Sequence, residues 1–172
     1  MSSASALSIA VLTISDSRDE SNDRSGQWLA EQVQQAGHRL YDKRIVVDDK
    51  YRIRAQVAAW IADSAVQVIL TTGGTGFTGR DSTPEAVSVL FDSHIEGFGE
   101  AFRYYSLQEV GSSTIQSRAL AGLSNNTVVF CVPGSTGACR TAWNHLIGEQ
   151  LDAEHRPCNF ASLLLTGHHP HG

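Results

Sequence analysis

Cysteine is scarce in this chain and does not occur in a metal-binding spacing. The sequence has three cysteines, Cys131, Cys139 and Cys158, and no two of them form a C-x-x-C pair. The odd count argues against a framework of paired disulfides, and the missing C-x-x-C spacing argues against a cysteine zinc site. We therefore expect reduced thiols that behave as small apolar side chains.

Long apolar runs and an excess of basic residues are also missing. No run approaches the ~20 apolar residues that a membrane span needs, and the opening MSSASALSIAVLTIS lacks the Lys/Arg flank of a secretory signal. Lys and Arg total 13 against 18 Asp and Glu, a formal net charge of -5, which disfavours neutralising the phosphates of a nucleic acid. We expect a cytoplasmic protein that binds neither membrane nor nucleic acid.

The remaining composition is that of one globular domain. The chain has 172 residues, of which 41% are hydrophobic and 18% are charged, and about 150 residues per domain is typical. No internal repeat and no linker divides it. We expect a single domain over residues 1–165 and a disordered tail over 166–172, because TGHHPHG has nothing to pack against.

Apolar segments rich in β-branched residues alternate with amphipathic segments along the chain. Short runs of this kind are typical of strands that are buried on both faces. Strands that alternate with helices pair in parallel through right-handed crossovers, with helices on both sides. We therefore predict an α/β fold, a single three-layer, doubly wound domain with a mostly parallel sheet. The predicted strands are residues 7–14, 40–47, 66–72 and 127–132.

The region between the third and fourth predicted strands favours helix, with interruptions. Thr83 is expected to be the N-cap of a helix that has Pro84 at its first position. Further helical pieces are expected up to about residue 120, broken at Gly97, Gly99 and Gly111.

Polar or glycine-rich segments follow all four predicted strands. In an open parallel sheet, ligands bind beyond the carboxyl ends of the strands. The sequence therefore predicts a binding site at this edge of the sheet. The segments are residues 15–18, 48–49, 71–83 and 133–136.

The segment after the third strand, TTGGTGFTGRDST, has the composition of an anion-binding loop. Gly73, Gly74 and Gly76 allow backbone N–H groups to approach an anion closely and to adopt positive φ angles. Its threonines add hydroxyl donors, and Arg80 adds a positive charge.

The segment after the fourth strand forms a second such loop. Gly134, Ser135 and Thr136 fall at a predicted helix N-terminus, where free N–H groups and the helix dipole favour phosphate. Two such loops predict a ligand with more than one phosphate, or two phosphorylated ligands.

Three common motifs fit this region poorly. Gly74, Gly76 and Gly79 match G-x-G-x-x-G, but this motif lies after the third strand and its helix is delayed to Pro84. A P-loop needs Lys and Ser/Thr where Arg80 and Asp81 stand. The chain also lacks the first glycine of a G-x-S-x-G nucleophile elbow. A dinucleotide enzyme and a serine hydrolase are therefore disfavoured.

Two carboxylates stand beside the predicted loops, although acidic groups repel bound phosphates. A divalent cation would offset that repulsion, and Mg²⁺ takes one or two carboxylates together with phosphate oxygens. The alternative is structural: Asp48 or Asp49 would cap the following helix, and Asp81 would fix the glycine turn. The residues alone leave both interpretations open.

Several long motifs together resemble the MoaB/Mog family of molybdenum cofactor biosynthesis proteins. The similarity runs over residues 9–160, and its last two motifs resemble the MoaB-like members in particular. The motifs are TTGGTG…RDSTPEA at 71–86, IEGFGEAFR at 95–103, VPGSTGACRTAW at 132–143, QSRALAG at 116–122 and RPCNF at 156–160.

The resemblance implies a doubly wound α/β domain that assembles as a homotrimer or homohexamer. It implies a site for molybdopterin, a pterin with a dithiolene and a terminal phosphate. Mog-type members transfer AMP from Mg-ATP to that phosphate and release pyrophosphate. For MoaB-like members the alternative is a non-catalytic protein that binds molybdopterin or GTP and stores or hands over the pathway intermediate. Mg²⁺ and either ATP or GTP are thus the expected cofactor and co-substrate.

The same resemblance assigns roles to individual residues. Asp48 and Asp81 match the acidic residues that adenylyl transfer requires, and both are expected to act through the metal. Val47 stands where the adenylyltransferases have proline. The expected substrate-binding residues are Ser15, Asp16, Thr72, Gly73, Gly74, Thr75, Gly76, Arg80, Thr83, Pro133, Gly134 and Ser135.

This chemistry is consistent with the residue types. The nucleophile in adenylylation is a phosphate oxygen that is already anionic near neutral pH, so no general base is needed. The difficulty is to bring two anions together, which Mg²⁺ and oriented N–H donors achieve.

Overall fold

A single mixed sheet runs through the part of the chain that the computed structural model describes, residues 5–166. Its strand order is β2-β1-β3-β6-β5-β4. The β2-β1-β3-β6 part is parallel, and β5 and β4 continue the sheet antiparallel. The strands are β1 (Ser8–Ile14), β2 (Arg39–Val46), β3 (Val68–Thr72), β4 (Ser93–His94), β5 (Leu120–Ser124) and β6 (Thr127–Val132).

Helices connect the strands and cover the sheet. The π-helical segment Trp143–Ile147 joins α5 to α6, and 3₁₀ turns occupy Ser88–Leu90 and Gly111–Gln116. No helix within residues 5–166 has both the length and the hydropathy of a membrane-crossing segment. The helices are α1 (Arg24–Gln35), α2 (Lys50–Ala62), α3 (Thr83–Val87), α4 (Glu96–Val110), α5 (Thr136–Ala142), α6 (Gly148–Gln150) and α7 (Phe160–Leu165).

The central strands are buried on both faces. Every residue of β1 is buried, and successive side chains alternate between two hydrophobic clusters. Ile9 and Val11 join the cluster that includes Leu29 of α1, whereas Ala10 and Leu12 join the cluster on the opposite face. The three-layer, doubly wound fold and the mostly parallel sheet predicted from the sequence are therefore confirmed.

The sequence did not predict the antiparallel edge of the sheet. Asn125 and Asn126, with φ angles of 49° and 59°, form a two-residue turn that joins β5 to β6 as a hairpin. The predicted break of α4 at Gly111 is correct, since this glycine has a φ of 65°. The predicted breaks at Gly97 and Gly99 are wrong. A Cβ on Gly99 would lie 2.7 Å from the carbonyl oxygen of Ala119, so this glycine permits a close approach within the helix.

The start of α3 lies one residue earlier than predicted. Ser82, and not Thr83, is the N-cap, and its amide donates to the carboxylate of Asp48 at 3.0 Å. Asp49 is the N-cap of α2, where its side chain accepts hydrogen bonds from the first-turn amides. Of the predicted tail 166–172, all residues except Thr166 lie outside the described residues.

Candidate functional site

A cavity of about 600 Å³ opens at the carboxyl ends of β1, β3 and β6. Its volume lies in the range of small-molecule sites. One wall comes from the loops that follow these strands, and the other comes from the end of α4 and the following 3₁₀ turn. The predicted position of the site at this sheet edge thus coincides with the cavity.

The cavity brings together all of the predicted site residues except Arg80 and Thr83. These residues come from four separate segments of the chain, and the parallel sheet places those segments side by side. The predicted residues that line it are Ser15, Asp16, Asp48, Thr72, Gly73, Gly74, Thr75, Gly76, Asp81, Pro133, Gly134 and Ser135.

In the loop that follows β3, a side chain at either of the first two glycines would collide with neighbouring atoms. Gly73 has a φ of 111°, and a Cβ there would lie 2.2 Å from the carbonyl oxygen of Ile14. Gly74 has a φ of 71°, and a Cβ there would lie 2.3 Å from the hydroxyl of Thr83 and 2.9 Å from Asp48 Oδ2. The glycines therefore bring the main chain of this loop directly against neighbouring groups.

Thr83 supports this loop from beneath. Its side chain is fully buried, its hydroxyl donates to the carbonyl of Gly73 at 2.8 Å, and its amide donates to the carbonyl of Gly74 at 3.0 Å. These bonds fix the carbonyl groups of the loop. Thr83 was predicted to contact the ligand, but the structure places it behind the two glycines.

Asp48 is a buried carboxylate at the rim of the cavity. Its Oδ1 accepts a hydrogen bond from the amide of Ser82. Burial raises the pKa of Asp48, and the negative charges of Asp81 and Asp16 raise it further, against the opposing hydrogen bonds from Ser82. Asp48 therefore belongs to a patch of negative charge that a cation would stabilise.

Asp81 closes the turn that precedes α3. Its Oδ2 accepts from the amide of Thr78 at 2.9 Å and from the hydroxyl of Thr78 at 2.6 Å. Burial acts to raise the pKa of Asp81, but the hydrogen bonds from Thr78 and from the Gly76 amide outweigh it, so the pKa lies below the usual value. The structural role proposed for Asp81 is thus present, and the same residue also lines the cavity.

Arg80 faces Asp16 and does not line the cavity. Its Nε and Nη2 atoms donate to the two oxygens of the Asp16 carboxylate at 2.9 and 2.7 Å. The hydrogen bond from Arg80 is the main cause that lowers the pKa of Asp16. Arg80 therefore joins the loop after β1 to the loop after β3.

The carboxylates are not by themselves a complete metal site. Across residues 5–166, no three His, Cys, Asp or Glu side chains are grouped closely enough to hold a metal ion. Two carboxylates can be enough for Mg²⁺, because this ion takes one or two carboxylates and completes its shell with phosphate oxygens and water. Asp48 and Asp81 could supply these two carboxylates. The feature that a cation could use here is geometric, since Asp16, Asp48 and Asp81 all line this cavity.

Sequence reasoning missed a buried ionic group on the floor of the cavity. Asp23 caps α1 through the amide of Gly26 at 3.0 Å, and it also accepts from the hydroxyl of Thr13 at 2.7 Å. The ammonium group of Lys43 lies 3.1 Å from the same carboxylate. An aspartate just before a helix is an N-cap signal, but nothing local in the sequence indicates its partners on β1 and β2.

The wall formed by α4 was also missed. Glu109 accepts a hydrogen bond from the hydroxyl of Thr141 at 2.6 Å, and both residues line the cavity. On the sequence alone, polar residues on this helix look like an ordinary solvent-facing surface. The further lining residues from this wall include Phe102, Ser106, Val110, Ser113, Thr114, Gln116 and Ser117.

These features define the class of the protein: a doubly wound α/β domain with a ligand-sized cavity at the carboxyl edge of its sheet. Two glycine-containing loops and a patch of carboxylates border that cavity. Comparison with known proteins identifies the family within this class.

A family profile described as "Probable molybdopterin binding domain" matches residues 10–153. The chain is 55% identical over 163 residues to molybdenum cofactor biosynthesis protein B of Escherichia coli K12, covering 95% of this chain and 91% of that protein. A crystal structure of a molybdenum cofactor biosynthesis protein B is similar with a TM-score of 0.85 at 46% identity, covering 92% of this chain and 96% of that one. The tungsten cofactor synthesizing protein MoaB from Pyrococcus furiosus has a TM-score of 0.73 at 37% identity, covering 84% and 92% respectively.

The chain therefore belongs to the MoaB/Mog family of molybdenum cofactor biosynthesis proteins, and it carries that family's molybdopterin-binding domain. The resemblance inferred from the sequence motifs is confirmed.

Proposed function

We propose that this protein binds molybdopterin in the cavity and transfers AMP from Mg-ATP to its terminal phosphate. A phosphate oxygen of the pterin attacks the α-phosphorus of ATP, and a new P–O bond forms. The bond from the α-phosphorus to the oxygen that bridges the α- and β-phosphates breaks, and pyrophosphate leaves with the electron pair. The observation that carries the proposal is the presence of Asp48 and Asp81 at the rim of one cavity that glycine-containing loops also border.

In this scheme the chain positions charged groups and transfers no proton. Asp48 and Asp81 are the residues that would hold Mg²⁺, which when bound offsets the charge of the phosphates. The loops at Gly73–Gly76 and Pro133–Ser135 line the same cavity and would present backbone N–H groups to phosphate oxygens. The attacking oxygen is anionic, and a catalytic base is accordingly not assigned.

The second candidate function is binding of molybdopterin or GTP without catalysis, for storage or transfer of the intermediate. One observation favours it: the carboxylate of Asp81 is already engaged by the amide and hydroxyl of Thr78. Asp81 thus has a structural role that requires no metal.

Pyrophosphate release separates the two functions. Purified protein is incubated with molybdopterin and either Mg-ATP or Mg-GTP, and pyrophosphate is measured together with pterin binding. Adenylyl transfer predicts pyrophosphate in proportion to molybdopterin, with a loss of at least about 100-fold in Asp81→Asn. Binding of the pterin with no pyrophosphate from either nucleotide would reject catalysis and support the second function.

We further propose that the protein assembles as a homotrimer or homohexamer. The support is four exposed apolar side chains on α4 and the 3₁₀ turn that follows it. An exposed apolar patch of this kind is typical of an interaction surface. Its members are Tyr104, Leu107, Val110 and Ile115.

A further inference from the structure

Arg118 lies behind the loop that carries Asp81, and it is not one of the residues that line the cavity. Its backbone amide donates to the carbonyl of Thr75 at 2.9 Å. Its guanidinium donates through Nε to the carbonyl of Gly76 at 2.9 Å and through Nη2 to the carbonyl of Asp81 at 3.0 Å. One residue therefore holds both ends of the turn over 76–81.

The guanidinium of Arg118 is itself fixed by two further contacts. Its Nη1 forms an ion pair with the carboxylate of Glu85, which lies on α3. Its central carbon lies 4.9 Å from the centre of the Phe77 ring, which is part of the held turn. The side chain is three-quarters buried, so its hydrogen bonds are partly shielded from water.

The shape of the arginine head group matters for this arrangement. A guanidinium presents several N–H donors in a rigid plane, whereas a lysine ammonium is a single compact charge. Two separate donors of Arg118 reach the carbonyls of Gly76 and Asp81 at the same time. These two contacts hold the main chain on both sides of the turn, while the Asp81 carboxylate accepts hydrogen bonds from Thr78 within it.

We propose that Arg118 is a positioning residue that holds the Asp81 carboxylate at the cavity, next to Asp48, for binding of a cation–nucleotide complex. The inference rests on the proposed function for the identity of that complex. Arg118 touches no ligand in this scheme. It acts through the main chain of the turn, and its charge also attracts the Asp81 carboxylate.

Arg103 is a matched control for Arg118. It also uses its guanidinium to hold main-chain carbonyls, but those are the carbonyls of Ser117 and Ala119, at 3.3 and 3.0 Å. Because Ser117 and Ala119 flank Arg118, loss of Arg103 loosens the same segment but leaves the guanidinium of Arg118 able to bind the turn over 76–81.

The first measurement is hydrogen exchange in the ligand-free protein. Arg118→Gln and Arg118→Lys are expected to increase amide exchange of Thr78 and its neighbours by about tenfold or more relative to Arg103→Gln. Because no ligand is present, this measurement does not depend on the proposed function. Equal exchange of the 76–81 amides in the Arg118 and Arg103 variants would overturn the proposal. If Arg118→Gln does not fold, Arg118→Lys decides the question, since it retains the charge.

The second measurement is metal binding, with Mn²⁺ as a paramagnetic probe and α,β-methylene-ATP as a nucleotide that cannot release pyrophosphate. Arg118→Lys should weaken Mn²⁺ binding by about 10-fold, which is typical when a group that orients a metal ligand is changed. Arg103→Gln should leave it within about twofold. Wild-type metal affinity in Arg118→Lys would reject the positioning role.

Different results would contradict the proposed function and the positioning role of Arg118. Wild-type protein that binds Mn²⁺ and the nucleotide analogue but never releases pyrophosphate contradicts adenylyl transfer and leaves the test of Arg118 intact. Wild-type protein that binds neither probe contradicts both the proposed function and the ligand assigned to Arg118, and the exchange measurement then tests only whether Arg118 holds the turn.

Discussion

The guanidinium of Arg80 is bound by two parallel hydrogen bonds to the carboxylate of Asp16, although the two residues are 64 positions apart in the chain. The same carboxylate also accepts the amide of Asp48 at 3.0 Å. Asp16 therefore connects the loop after β1 with the segments that carry both Asp48 and Arg80. The net effect is that one of the three carboxylates at this end of the cavity is neutralised by a cation of the chain itself.

The ion pair of Arg80 with Asp16 predicts that Arg80 strengthens the binding of an anion in the cavity. Arg80→Gln removes the hydrogen bond that chiefly lowers the pKa of Asp16 and leaves an uncompensated negative charge at the cavity. We expect affinity for pyrophosphate to fall roughly 3- to 10-fold at low salt, and the effect to shrink as salt increases because exposed charges are screened. Calorimetric titration of the wild type and of Arg80→Gln with pyrophosphate, at two salt concentrations, measures this difference in affinity.

Arg44→Gln is the control for that experiment, because Arg44 forms a comparable exposed ion pair with Asp42 at 2.9 Å and does not line the cavity. If both variants weaken pyrophosphate binding equally, the effect comes from net charge, and the local role of Arg80 is rejected.

Local patterns in the sequence predicted the fold and the wall of the cavity that the loops after the strands form. Strand β3 and its glycine turn were found because buried β-branched runs and glycine clusters are features of a few adjacent residues. The N-cap of α3 was predicted one residue too late, at Thr83, and the amide of the actual N-cap, Ser82, binds Asp48, which is 34 positions away. Distant contacts of this kind leave no local signal.

Contacts between residues that are distant in the chain also explain why the role of Arg118 was not predicted. Arg118 lies in the QSRALAG motif, but its partners Gly76 and Asp81 are 42 and 37 positions away, and the motif does not indicate them. The hairpin of β5 and β6 was missed because Leu120–Ser124 is short and contains small residues. Its turn residues, Asn125 and Asn126, are the local feature that could have revealed it.

Gly74 is predicted to be required for stability and nucleotide binding, whereas Gly79 is not. Gly74→Ala places a methyl group 2.3 Å from the Thr83 hydroxyl at a residue with a φ of 71°. We expect a loss of roughly 1–3 kcal/mol in the free energy of unfolding and a shift of the loop that weakens nucleotide binding. Denaturant unfolding and calorimetric titration measure the two effects.

Gly79 offers the matched position, because a Cβ there meets no atom within 4 Å. Gly79→Ala should therefore retain stability and binding. Comparable losses in the two alanine variants would mean that general loop stiffening, and not the close approach at Gly74, is responsible.

The apolar patch on α4 predicts a change in oligomeric state. Ile115→Lys introduces a charge at the most exposed member of that patch, and desolvating an unpaired charge at an interface is costly. We expect trimers or hexamers of the wild-type chain to dissociate toward monomers in sedimentation velocity. Val89 is a similarly exposed apolar residue elsewhere, and Val89→Lys should leave the assembly unchanged. Wild-type sedimentation of Ile115→Lys would remove the support for this patch as the interface.

The stability of the folded protein is expected to depend on pH through Asp48. Burial and the neighbouring charges of Asp81 and Asp16 raise the pKa of this carboxyl in the folded protein above its unfolded value of about 3.9. The folded state therefore favours the protonated form. Its stabilising contribution is complete below about pH 3.9 and is lost as the pH rises through the folded pKa.

Asp48→Asn resembles the protonated form, and its side-chain oxygen can still accept from the Ser82 amide. We expect this variant to be more stable than the wild type near pH 7, to approach wild-type stability near about pH 4, and to lose cation–nucleotide binding. Denaturant unfolding across this range measures the difference in the free energy of unfolding.

Asp49→Asn, which removes the adjacent charge but leaves an equally good helix cap, should have near-wild-type stability at pH 7. A stability gain in Asp48→Asn that is constant with pH would show that ionisation of Asp48 is not its cause, and the negative patch would then not favour a cation at this site.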